Sequence, residues 1–357
     1  MGTGPSSSTR LQPPSHSRPF TFIRRPISRR ALFRAAAILL PAAAWPQTSP
    51  KAETSQFDLS LLDDWVTPAD LFFIREHFPA PAVSSAGWKV SFGGSVEAPY
   101  EISYDELTEQ PKRSLGVTLE CAENPVGGGL VSNAEWTGAV LEPMLRKAKP
   151  LPEARFVRFS GAEGFSRTIP LGKALRPDTL LAYRMNGERL PNAHGFPVRA
   201  LVPGWYGMDS IKWLRKVKVL AQAPPEGYLR RTNDGSTAPV TAMNPKAAFA
   251  RPLGRAVVQG RRFIARGAAW AGEEKVRAVE ISTDEGRTWQ AAKLVDSPRP
   301  YAWVRWEHPW TIPAPGEYVL MARASDQKGR AQPAEPPSSR LDEYELNAYQ
   351  KVRVTVI

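Results

Sequence analysis

The chain has 357 residues, 42% of them hydrophobic and 10% aromatic, which excludes a disordered polymer and permits a sizeable core. At roughly 150 residues per domain this length predicts two domains. Its 35 prolines, about twice the usual share, exclude long helices as the main element, because proline fits neither a helix interior nor a central strand. The formal charge of +12 is unevenly spread: seven arginines, no lysine and no acidic residue fall within residues 1–44, and 12 − 7 leaves +5 for the rest. No basic stripe interleaved with aromatics remains there, which argues against nucleic acid as a partner. A mildly positive surface suits an anionic substrate or an acidic partner.

In chain order, Ser28-Arg29-Arg30-Ala31-Leu32-Phe33-Arg34 precedes an apolar stretch, Ala35 to Leu40, and then Pro41-Ala42-Ala43-Ala44. That is the order of a cleaved secretion signal. The apolar run is too short for a bilayer span, which takes about 20 residues. Residues 1–44 resemble a twin-arginine signal, the route for proteins exported already folded, and so imply a periplasmic or otherwise exported protein. An uncleaved leader would act as a membrane anchor. Residues 45–65 read as a polar linker. Residues 66–222 alternate short apolar runs with Gly/Pro turns, predicting a strand-rich α+β domain with short helices near Tyr104–Leu107 and Leu141–Lys147. Residues 223–252 read as a connector. From 253 to 357 the pattern is all β; Val352, Val354 and Val356 fall on one face of the last strand, and the even spacing of strands suggests an immunoglobulin-like sandwich.

Cys121 is the only cysteine, so no internal disulfide can form. The same count excludes a C-x-x-C-H haem attachment and any Cys-only iron–sulfur or zinc site. A redox cofactor in this chain must be held by non-covalent contacts and at most one thiolate. Taken alone, a lone cysteine is most often a buried, inert thiol.

Five segments supply a context for it. They are Leu71-Phe-Phe-Ile-Arg-Glu-His77, Thr118-Leu-Glu-Cys-Ala-Glu-Asn124, Ser132-Asn-Ala-Glu-Trp-Thr-Gly138, Leu181-Ala-Tyr-Arg-Met-Asn-Gly187 and His194-Gly-Phe-Pro-Val-Arg199, followed by Val202-Pro-Gly-Trp-Tyr-Gly and Lys212-Trp-Leu214. In order and spacing they resemble the molybdenum domain of the sulfite oxidase family. Val279-Glu-Ile-Ser-Thr-Asp-Glu-Gly-Arg-Thr-Trp289 resembles that family's dimerisation domain, and the likeness runs over roughly residues 58–357. The resemblance implies a molybdenum–pterin cofactor with Cys121 as the metal's thiolate ligand, a soft donor suited to that metal. It also implies that Arg199 and Lys212 hold the cofactor's phosphate, with backbone N–H groups of Ser210-Ile211 between them. His194 and His77 fall at positions that hydrogen-bond the pterin, and Phe73, Ile74 and Arg75 belong to the same cofactor-binding set. Tyr183 matches a tyrosine beside the reactive oxo group, and Arg75 an arginine facing the substrate anion. Out of this context each histidine reads as structural, each cation as surface charge, and Tyr183 as a core residue.

The implied activity is oxygen-atom transfer, sulfite to sulfate or a related small sulfur substrate. With no haem motif in the chain, electrons need a separate acceptor such as a c-type cytochrome, and the second domain implies a homodimer. The alternatives are an S- or N-oxide reductase on the same scaffold and a non-catalytic exported binding protein. Two departures weaken sulfite as the substrate. Pro125-Val126-Gly127-Gly128-Gly129 stands where the family carries arginines after the cysteine motif, and Arg340 is offset from the family's second-domain anion arginine. Each lost charged partner weakens anion binding by about 1.5–3 kcal/mol. A different or bulkier substrate is then expected, with Trp205 and Tyr206 as candidates for shaping its pocket, and Glu123 stands as an unusual acid beside the metal ligand.

Overall fold

Alternating burial places the strands of the first domain. The computed structural model describes residues 51–224, 229–337 and 342–357; the leader with Arg29 and Arg30, and Arg340, lie outside the described residues. In Lys89–Gly94 the side chains of Val90 and Phe92 are buried and their neighbours are not. Val217 and Val219 do the same in Leu214–Leu220, as a period of two requires. Leu214–Leu220 runs parallel to Lys89–Gly94 and antiparallel to Phe156–Gly161, with Tyr100–Ser103 and Ser166–Pro170 completing a five-stranded sheet. A second sheet pairs Lys112–Glu120, Val131–Val140, Leu180–Met185 and Glu188–Arg189, and Arg199–Leu201 also pairs with Leu180–Met185. The helices are short, as the prolines predict. Tyr104–Thr108 starts on a capping box: Ser103 Oγ accepts from Glu106 N–H, and Glu106 Oε2 accepts from Ser103 N–H. Leu141–Ala148 buries Leu141, Met144, Leu145 and Ala148, one helical face. Pro143 lies in its first turn, where a missing N–H costs nothing.

The second domain has a four-stranded and a five-stranded sheet. Phe249, Ala265 and Trp306 from the first share one core with Ile281, Leu320 and Val354 from the second. The protein is thus α+β, with strands dominating both domains. Among the described residues no helix is long and apolar enough to cross a membrane.

Two of the expected boundaries need correction. The connector does not extend to residue 252, because Lys246–Arg251 pairs with Arg262–Trp270 as an edge strand of the second domain. The flanking Pro245 and Pro252 suggest a linker, yet Ala247–Ala250 between them is a fully buried apolar run, and prolines are tolerated at a sheet edge. Nor is the stretch up to residue 65 a solvated linker throughout. Thr54–Ser55 pairs with Ile74–Arg75, and Phe57, Leu59 and Leu62 enter a core with Trp270 and Trp303.

That core joins the two domains, and a polar contact lies within it. Glu120, fully buried, accepts from Lys246 Nζ (2.6 Å) and Asn124 Nδ2 (3.0 Å) on one oxygen and from Trp270 Nε1 (2.8 Å) on the other. Lys246 and Trp270 belong to the second domain and Glu120 to the first. A buried carboxylate is tolerated only when its lone pairs are met this way. Replacing Lys246 by Met is expected to cost about 3–5 kcal/mol in urea unfolding by leaving the charge uncompensated. The double variant Glu120→Gln/Lys246→Met is expected to recover part of that loss; a double variant no more stable than Lys246→Met would contradict this account.

Candidate active site

Cys121 follows directly on Glu120, at the end of the Lys112–Glu120 strand. Its N–H donates to Leu130 C=O (2.9 Å), its own carbonyl accepts from Asn124 N–H (2.9 Å), and Asn124 Oδ1 accepts from Leu130 N–H (3.0 Å). The glycine run after it is needed for close approach: a Cβ on Gly129 would meet Phe57 O at 2.1 Å. The loop thus holds a half-buried thiol at the floor of a slot. Burial pushes the Cys121 thiol up from its ordinary pKa, while the Arg75 guanidinium opposes the shift.

One wall of the slot is the segment Phe72–His77. Phe73 N–H donates to Ser132 Oγ (3.2 Å), and Ile74–Arg75 is fixed by its pairing with Thr54–Ser55. His77 stacks on Phe165 with ring centroids 4.3 Å apart, and burial lowers its pKa. The opposite wall is the 192–195 turn with residues 199 and 207–212. Gly195, at φ +106°, lets the chain turn beneath Lys212, whose Cα a Cβ there would approach to 3.0 Å. His194 donates through Nε2 to Ala69 C=O (2.8 Å), since a carbonyl can only accept. Burial holds its pKa near 4, so the ring is neutral at physiological pH.

The cations of this wall are buried with little to neutralise them. Arg199 donates from Nη1 to His194 C=O (3.0 Å) and from Nη2 to Ser210 C=O (2.7 Å), and its Nε, also buried, has no hydrogen-bond partner. Burial pulls its guanidinium down to about 9. Lys212 Nζ lies 3.1 Å from Glu76 Oε1 and donates to Ala193 C=O (2.9 Å); burial lowers it to about 8. The Arg199 guanidinium also lies 4.9 Å over the Trp136 ring, but among the described residues its hydrogen bonds reach only carbonyls, which calls for an anion at its free edge. Of the Ser210-Ile211 pair, the Ser210 N–H donates to Gly207 C=O (3.1 Å), and the Ile211 N–H has no hydrogen-bond partner among the described residues.

The structure therefore brings Phe73, Ile74, Arg75, His77, Cys121, His194, Arg199, Ser210, Ile211 and Lys212 into one slot. Tyr183 is not among them, which corrects its expected place beside the reacting centre. Arg199 pairs with Ala182, and Ala182 packs on the slot side with Phe72 and Phe73. Tyr183, one residue on, points to the other face of the strand. There it lines a separate cleft with Tyr104 and Lys112, and among the described residues its hydroxyl donates only to Thr108 C=O, at 3.5 Å. Trp205 and Tyr206 are likewise core residues, packed in the first-domain core and the interdomain core, and neither lines the slot. Three acids stand at the site, of which only Glu123 was singled out from the sequence. Glu76 pairs with Lys212; Glu163, pushed up to about 7 by burial, lines the slot with one oxygen unpartnered; and Glu123 forms an ion pair with Arg75 at 2.8 Å. Glu76 lies within the Leu71–His77 segment but was given no role there, and no local signal marks Glu163.

Among the described residues no three His, Cys, Asp or Glu side chains converge as a metal cage. The donor set is one thiol, two buried cations and an orphaned guanidinium N–H, and it fits an anionic cofactor that carries its own metal ligands and takes one more from the protein.

Comparison with known proteins agrees. Residues 77–228 match the family model "Oxidoreductase molybdopterin binding domain", and residues 238–357 match "Mo-co oxidoreductase dimerisation domain". The chain is 34% identical over 318 residues to sulfite oxidase of Gallus gallus, covering 76% of this chain and 69% of that one. It is 32% identical over 341 residues to the mitochondrial sulfite oxidase of Macaca fascicularis, covering 83% of this chain but 63% of the macaque protein, so it spans less than two thirds of that relative. Its structure is similar to that of the sulfane dehydrogenase SoxCD from Paracoccus pantotrophus, with a TM-score of 0.80, 26% identity and 87% of each chain covered. The chain belongs to the sulfite oxidase family of molybdopterin-dependent oxidoreductases.

Proposed function

We propose that this protein is an exported molybdenum-cofactor enzyme that transfers an oxygen atom to a sulfur substrate, with sulfite to sulfate as the reference reaction. The observation that carries this reading is the orphaned Arg199 Nε, buried in the same slot as Lys212 and the lone Cys121. Cys121 would ligate the metal through Sγ. Arg199, Lys212 and the Ile211 amide would hold the phosphate, and His194, His77 and the 73–75 segment would line the pterin. When bound, the cofactor supplies oxygen-atom transfer and a store for two electrons. The protein's share is to orient the substrate and to place charge: Arg75 lies at the slot beside Cys121, and neutral His194 offers a ring without adding a further cation. The overall balance is sulfite plus water giving sulfate, two protons and two electrons. The electrons pass one at a time to a separate acceptor, a c-type cytochrome in our reading.

Export rests on the Arg29-Arg30 leader. Homodimer formation is supported by the match of residues 238–357 to a dimerisation model, and we read that two-sheet domain as an immunoglobulin-like sandwich. The second reading is reduction of an S- or N-oxide, in which two protons and two electrons release the oxygen as water. The Arg75–Glu123 pair favours it, because that pair weakens the attraction for sulfite.

Mature protein made in a molybdopterin-competent host is expected to carry molybdenum in proportion to the chain and to reduce ferricyanide when given a sulfur substrate. An empty site under those conditions would overturn the assignment. Cys121→Ser is expected to lower turnover at least about a hundredfold with an unchanged melting temperature, since even outer partners of a metal ligand matter tenfold or more. Arg199→Lys keeps the charge but loses the fork, and pterin retention after gel filtration is expected to fall about ten- to a hundredfold. Tyr183→Phe is expected to leave kcat/KM within about twofold, as for a residue remote from the chemistry; a larger loss would return Tyr183 to the site.

A further inference from the structure

Arg75 is the cation closest in role to a substrate anion, and it is already engaged. Its Nη2 lies 2.8 Å from Glu123 Oε2, and Glu123 stands two residues beyond Cys121 on the same turn. Hydrogen bonding to Glu123 is the strongest influence on the Arg75 guanidinium, and Cys121 lies close enough to act on it too. An oxyanion approaching Arg75 must displace the carboxylate or settle beside it. Both routes weaken binding, the first by breaking a charged hydrogen bond and the second by like-charge repulsion.

The space outside this pair points the same way. A cleft of about 930 Å³ opens from Glu123, within the size range of sites for molecules much larger than an inorganic oxyanion. Among the described residues, Glu123 being paired with Arg75, its other charges are Arg158, Arg167 and Arg231 against Asp342 and Glu343. Of these, Arg167 is held by buried Asp209 at 2.8 Å. Phe78 and Phe165 line both the cleft and the slot, so an aromatic wall runs from the outer space towards Cys121.

We propose that Glu123 sets the substrate class: by neutralising Arg75 beside Cys121 at the foot of this cleft, it selects an uncharged sulfur group carried on a larger molecule over a free sulfur oxyanion. This rests on the reading that Cys121 holds the molybdenum cofactor. For a thioether the reaction adds oxygen from water to sulfur, forming the S–O bond of a sulfoxide. It releases two protons to solvent and two electrons to the acceptor; the reverse consumes them and returns water.

The test uses molybdenum-loaded protein, wild type and the variants Glu123→Gln and Glu123→Ala, with metal content measured first. Sulfate binding is followed by calorimetry. Turnover is followed with sulfite or methyl phenyl sulfide against ferricyanide, and with methyl phenyl sulfoxide against reduced viologen. Both variants are expected to bind sulfate about ten- to a hundredfold more tightly than wild type. The ratio of their kcat/KM for sulfite to that for the neutral probes is expected to rise by a similar factor. Equal sulfate affinity in all three proteins, or a wild-type preference for sulfite over both neutral probes, would overturn the proposal. Loaded protein with unchanged sulfate affinity defeats this proposal alone. Protein that takes up no molybdenum defeats the cofactor reading, and this proposal with it.

Discussion

One buried carboxylate organises the molecule. Glu120 ends the strand that delivers Cys121, and its two oxygens are claimed by Lys246, Asn124 and Trp270 from three directions. Without those donors an anion in this position would be untenable, and with them it fixes the loop from both sides. Asn124 passes the constraint on, because its amide donates to Glu120 while its carbonyl oxygen receives the N–H of Leu130. The thiol is therefore held by a polar network whose far end lies in the other domain. The interdomain core of Phe57, Trp270 and Trp303 keeps water out of that network.

The slot beyond Cys121 follows a different electrostatic rule. Arg199 and Lys212 are buried at a cost that the protein's own groups offset only in part: carbonyls for Arg199, Glu76 and a carbonyl for Lys212. Such a wall is preorganised for an incoming anion, and its attraction is strengthened by the absence of bulk solvent around it. The mouth is different again. There Arg75 is balanced by Glu123, so the strong positive field is confined to the depth of the slot. The depth of the slot and its mouth thus carry separate sets of charges, which in our reading serve cofactor and substrate respectively.

Much of this was legible in the sequence because the chemistry sits in contiguous motifs. Cys121, His194, Arg199 and Lys212 were picked out by the family resemblance of those motifs, and the structure brings them together. Tyr183 shows the limit. A motif match says that a residue is present but not which face of a strand it occupies, and one step from Ala182 to Tyr183 reverses the face. Glu76 and Glu163 were hidden for another reason: Glu76 pairs with Lys212, and Glu163 comes under its charge, only after distant segments pack. The edge strand at Lys246–Arg251 was masked by its prolines, although Ala247–Ala250 carried the apolar signal.

The span of the Glu120 contacts bears on how the protein is made. Lys246 lies 126 residues after Glu120 in the chain and Trp270 lies 150 after it. While the first domain emerges from the ribosome, its Cys121 loop has a buried acid and no cation to meet it. The loop reaches its final form only after the start of the second domain has been synthesised and has docked. Completion of the Cys121 loop is thereby a late event in biosynthesis, timed by the chain's own length, and a truncated product ending before Lys246 would carry the cysteine without the setting that positions it.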